Sequence, residues 1–115
     1  MEKQTIEMTA MLAHCVATCN YCFDACLHEE DVKMMARCIK LDKECAEICS
    51  LALSQVASES PFIGNVMHLC VKACEECADE CGKHHHLDHC QECAEVCRQC
   101  AEACRRYVST KCCTE

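Results

Sequence analysis

The sequence predicts an all-α fold, an antiparallel up-down-up-down four-helix bundle with a cysteine-lined core, formed as one domain over residues 1–115. Three observations predict it. Cysteines recur at steps of three and four residues along most of the chain, which places them on a single stripe of a helix. Glycine occurs twice, proline once, and aromatic residues make up 3% of the chain, too few turn and strand formers for a β fold. The cysteine groups fall on four helical segments with only a few residues between one segment and the next, and such short connections force neighbouring helices to run antiparallel.

The first helix, about 2–27, carries Cys15, Cys19, Cys22 and Cys26. The stretch from His28 to Asp31 separates it from a second helix, about 32–58, with Cys38, Cys45 and Cys49. Ser60 followed by Pro61 has the form of a helix start, Ser as N-cap and Pro at the first helical position, and opens a third helix, about 61–82. That helix carries Cys70, Cys74, Cys77 and Cys81, and Gly82 has the form of its C-terminal cap. Asp88 with Gln91 three residues on resembles a capping box for a fourth helix, about 89–109, with Cys90, Cys93, Cys97, Cys100 and Cys104. Seven of the pairs are C-x-x-x-C and four are C-x-x-C. Cys112 and Cys113 fall off the stripe and are candidates for a separate surface metal site or an adventitious pair.

Residues not used to place the helices agree with this topology. Met8, Leu12, Leu53, Val56, Ile63, Met67, Tyr107 and Val108 all fall at one end of such a bundle, as an apolar plug. His28, Met34, Met35, His84, His85, His86 and His89 gather at the other, as a soft, polar mouth. Between the two ends the stripe from Cys15 to Cys26 spans about 16 Å at 1.5 Å per residue.

Composition excludes several functions. A formal charge of −8, spread along the chain, offers no basic face for nucleic acid. No apolar run approaches the length of a membrane span. The N-terminal residues Met1 to Glu7 carry no basic, apolar or twin-arginine signal, so a cytoplasmic location is expected, where thiols are metal ligands or redox groups before they are disulfides. No acid, base or nucleophile pair stands apart from the cysteines, and no enzyme is expected.

One or two buried cysteines in a bundle are ordinary small hydrophobes. Sixteen on one seam are not, because Leu or Ala would fill those positions with better helix propensity. Bridges within a helix are disfavoured, since residues three or four apart have Cβ atoms about 5–6 Å apart and a disulfide needs about 3.5–4.5 Å. None of the C-x-x-C pairs is followed by His, which removes c-type haem, and the ferredoxin run with its proline is missing.

Soft metal ions remain, chiefly Zn(II) or Cu(I). Zinc wants closed, discrete four-ligand sites. Cu(I) accepts two or three sulfurs, so one helical pair supplies a complete site and a continuous seam suits it better. One Cu(I) per thiolate also leaves the core neutral, where bare buried thiolates would cost several kcal/mol each. The expected load is therefore near one Cu(I) per cysteine, with His28, Met34, Met35, His84, His85, His86 and His89 as weaker capture groups at the mouth. The alternative is a thiol redox sensor or a Zn(II)-binding regulatory module.

Segments such as Cys-Ile-Lys-Leu-Asp-Lys-Glu-Cys-Ala-Glu-Ile-Cys at 38–49 and Cys-Gln-Glu-Cys-Ala-Glu-Val-Cys at 90–97 resemble the bacterial four-helix-bundle copper storage proteins. The resemblance covers about Cys15 to Cys104, and without a twin-arginine signal the chain is similar to the cytosolic branch. It implies homotetramers of bundles that fill their interior with Cu(I) through paired cysteines, taking the metal in at one open end. Cys15 to Cys104 carry over as core ligands, and Cys112 and Cys113 lie outside the matching pattern.

Overall fold

A computed structural model describes residues 1–111. It contains four long helices: α1 (Lys3–Leu27), α2 (Ala36–Ala57), α3 (Ile63–Gly82) and α4 (Asp88–Lys111), with a 3-10 turn, Val32–Met35, ahead of α2. Each helix packs against its two neighbours around a square, and no backbone contact joins the diagonal pairs α1 with α3 or α2 with α4. The result is the expected antiparallel bundle, 49 × 20 × 19 Å. The sixteen cysteines from Cys15 to Cys104 are all completely buried, and Leu12, Val56 and Met67 close one end with them.

The helix ends differ in detail from the expectation. The second segment does not begin as α-helix, because the Asp31 side chain accepts from the Met34 backbone N–H and winds the first turn more tightly. Ser60 does not cap α3. Its hydroxyl accepts from the Phe62 N–H, two residues on, a local turn that delays the helix to Ile63. Asp88 is the first residue of α4, and Gln91 makes no capping box with it. The Gln91 amide donates instead to the carbonyls of His84 (3.1 Å) and Gly82 (3.4 Å), tying the end of α3 to the start of α4.

Gly82 is an ordinary last helical residue, without left-handed backbone. Left-handed geometry falls on Glu59, at φ 53, after α2. There the Ser60 N–H donates to the Gln55 carbonyl and the Glu59 N–H to that of Val56, the paired bonds of a Schellman closure.

Candidate metal centre

Four helices whose backbones stand apart on the diagonals leave a channel along the axis, and the cysteine stripe of each helix points into it. The stripes share one spacing. Cys15, Cys19, Cys22 and Cys26 on α1, Cys70, Cys74, Cys77 and Cys81 on α3, and Cys93, Cys97, Cys100 and Cys104 on α4 all step by four, three and four. On α2 the same steps run Cys38, Asp42, Cys45 and Cys49, so a carboxyl takes one thiol's place.

The sulfurs form a ladder along the channel. From the plug end, Cys104 lies 3.8 Å from Cys70, Cys70 3.6 Å from Cys49, and Cys49 3.8 Å from Cys15 and 3.6 Å from Cys74. The line continues through Cys15 and Cys97 (4.0 Å), Cys97 and Cys19 (3.6 Å), and Cys19 and Cys93 (3.9 Å). Toward the other end Cys38 meets Cys81 at 3.2 Å and Cys90 at 3.9 Å, and Cys90 meets Cys26 at 3.8 Å. These and Cys22, Cys45, Cys77 and Cys100, sixteen in all, are free thiols.

Donor atoms that fall within 4.8 Å of one another make overlapping groups. Cys15 belongs both to a set with Cys49, Cys74 and Cys100 and to one with Cys19, Cys45 and Cys97. Cys19 and Cys97 recur with Cys77 and Cys93, and Cys22 is shared between a set with Cys38, Asp42 and Cys81 and a set with Cys26, His89 and Cys90.

Asp42 is a site residue that the sequence reading missed. It is fully buried. Its Oδ1 accepts from the thiols of Cys77 (3.3 Å), Cys81 (3.3 Å) and Cys93 (3.5 Å), and its Oδ2 from Cys38 (3.9 Å) and Cys26 (4.0 Å). Burial, then the neighbouring Cys93, Cys77 and Cys38, pushes its pKa up to about 11, so the metal-free core holds a neutral carboxyl. Burial likewise pushes the Cys26 thiol up, with Cys38 and Cys90 adding to it, and favours the protonated form.

At the mouth the structure separates the expected ligands. His89 is brought onto the sulfurs, with Nδ1 at 3.5 Å from Cys22, 3.6 Å from Cys90 and 3.9 Å from Cys26. His28 turns back to the Asp24 carbonyl at 2.8 Å and stays exposed. His84 is buried against the Glu80 carboxylate, 3.4 Å from Nε2, which Arg37 also approaches at 3.4 Å. Met35 is packed into the core, while Met34, His85 and His86 are exposed. Cys112 and Cys113 lie outside the described residues.

Comparison with known proteins gives a consistent result. The family model described as copper storage protein matches residues 1–109. The cysteine-rich protein YhjQ of Bacillus subtilis is 50% identical over 82 residues, 71% of this chain and 75% of that protein. Among solved structures, the Cu(I)-bound copper storage protein BsCsp3 of Bacillus is similar at TM-score 0.85 and 42% identity, covering 90% of this chain and 97% of that one. The copper storage protein Ccsp from Streptomyces lividans, loaded with 10 copper equivalents, is similar at TM-score 0.89 and 29% identity, covering 93% and 85%.

Proposed function

Because this chain belongs to the copper storage protein family, we propose that it stores Cu(I) inside the bundle, as a reservoir without turnover. The observation that carries this reading is the unbroken ladder of sixteen buried sulfurs with overlapping donor groups. Discrete tetrahedral zinc sites need four ligands each, and groups that share Cys15, Cys19, Cys22 and Cys97 cannot all be filled that way. Cu(I) ions bridged by shared thiolates use the sharing.

Filling is an exchange of cations. Each thiol loses its proton as a Cu–S bond forms, so a monovalent ion replaces a monovalent proton and the core stays neutral at about one Cu(I) per cysteine. Before loading, the protonated thiols pack as small apolar groups, and the bundle folds without metal. Redox sensing is disfavoured because sensor thiols are solvent-accessible, whereas each of these sixteen is fully buried.

The proposed ligands are the sixteen seam cysteines, with Asp42 and His89 joining the groups nearest the mouth. The plug of Leu12, Val56 and Met67 leaves the His/Met end as the route inward. There Met34, His28, His85 and His86 are outer capture groups of lower affinity than thiolate. A cytoplasmic location agrees with the similar Streptomyces lividans protein, described as cytosolic. Family resemblance also supports a homotetramer. Exposed Tyr21 is available to an outer interface and half-buried Ile39 and Ile48 in part, whereas Val96 belongs to the core.

Protein purified anaerobically from copper-fed cells tests the reading by metal analysis. Many Cu ions per chain with Zn(II) well below one is expected. A preparation carrying a few Zn(II) and little copper would overturn it.

A further inference from the structure

The half-buried imidazole of His89 has two ring nitrogens in different company. Nδ1 faces the Cys22, Cys26 and Cys90 sulfurs, while Nε2 lies 2.9 Å from Oε2 of Glu29. Glu29 stands in the connection after α1, where its own backbone N–H donates to the Cys26 carbonyl at 3.2 Å. That bond fixes the turn that brings the carboxylate across to the first turn of α4. The pair is shielded, with side-chain exposures of 14% for His89 and 32% for Glu29.

A carboxylate accepts hydrogen bonds and does not donate them, so the contact places the ring proton on Nε2. A neutral imidazole has only one N–H, and Nδ1 is left with a free electron pair. The Cys22 sulfur lies 3.5 Å from that lone pair and the Cys90 sulfur 3.6 Å from it in the metal-free protein. We propose that Glu29 is a positioning residue for copper uptake: by holding Nε2–H it locks the His89 ring with its Nδ1 electron pair aimed at the outermost thiols, so an arriving Cu(I) meets a ready nitrogen and sulfur together.

The proposal rests on the storage reading and deepens it at one end of the channel. Carboxylates behind a ligating imidazole fix its tautomer and orientation, and removing one costs about 10–100-fold in metal affinity or activity. At this position the effect falls on the early, mouth-end steps of loading. Capacity does not change, because every sulfur remains.

The test uses the full chain in Glu29→Ala, Glu29→Gln and His89→Ala forms, together with the Glu29→Ala/His89→Ala double variant. In the metal-free wild type, 15N-resolved NMR of the ring should show a protonated Nε2 with a slowly exchanging proton. That slow exchange should vanish in Glu29→Ala and persist in Glu29→Gln, whose amide oxygen still accepts. In anaerobic transfer from a Cu(I)–bicinchoninate complex, the first equivalents should enter about tenfold more slowly in Glu29→Ala. Glu29→Gln should restore most of the rate, and Glu29→Ala should add nothing in the His89→Ala background.

A protonated Nδ1 in the wild type would overturn the proposal. So would a Glu29→Ala effect that persists in full without His89, or one that Glu29→Gln reproduces, since either assigns Glu29 a role as plain surface charge. The ring measurement needs no metal. A low total copper capacity in the wild type therefore counts against storage, and the NMR result decides the positioning role separately.

Discussion

A carboxyl at position 42 sits in a register that a thiol fills on the other three helices, and it changes the energetics of the empty core. In the unfolded chain an aspartate ionises near about 3.9, whereas burial holds Asp42 protonated to about 11. Below pH 4 both states carry the proton and folding is indifferent to it. Above that, folding requires proton uptake, so this residue's contribution to stability falls as pH rises through the window from about 4 to 11. Asp42→Asn removes the titration. Urea unfolding of the metal-free variant should therefore show a stability gain over wild type at pH 7 of up to about 4 kcal/mol, shrinking toward zero at pH 4. An equal difference at both pH values would contradict the assignment of a neutral buried carboxyl.

The helices divide into a thiol stripe that binds and an end that packs. Leu12 is completely buried, one turn before Cys15, the first sulfur of α1. Leu12→Ala should cost about 2–5 kcal/mol of stability in the metal-free protein, read by thermal or urea unfolding, with copper capacity unchanged. A loss of capacity along with stability would show the plug to be part of the binding channel. Just after the C-terminus of α2, at the same end, Glu59 adopts the left-handed backbone that glycine takes without strain, so Glu59→Gly should raise the stability of the metal-free bundle by about 1 kcal/mol. Unchanged or lower stability would count against strain there.

These elements also mark how far the sequence could be read. The three-and-four spacing fixes which face of each helix turns inward, and with short connections it fixes the bundle. It could have delivered Asp42 as well, because Cys38, Asp42, Cys45 and Cys49 repeat the steps of Cys70, Cys74, Cys77 and Cys81. Asp42 escapes a pattern made of sulfurs because it holds a seam position without one. The ends were less legible for a physical reason: periodicity is silent where a helix stops. Ser60 and Gln91 have capping chemistry, yet each found a better partner in the folded connection, Phe62 N–H for one and the His84 and Gly82 carbonyls for the other. The mouth shows the same limit. His28, His84, His85, His86 and His89 are close in the sequence pattern, and only the path of the connections decides that His89 faces sulfur while His84 faces Glu80.

At the scale of the whole molecule, the design separates folding from cargo. A protonated core packs as an apolar one, and exchange of one proton for each Cu(I) leaves the net charge of the filled and empty forms the same, in a chain whose formal charge is −8. The most direct measurement of that claim is an anaerobic titration of the fully reduced protein with Cu(I), following thiolate-to-copper absorbance and released protons together. The account predicts saturation near one Cu(I) per cysteine, sixteen on the seam and eighteen in the full sequence, with about one proton released per ion bound. Saturation at about four equivalents or fewer, the number that closed tetrahedral sites would allow, would contradict it.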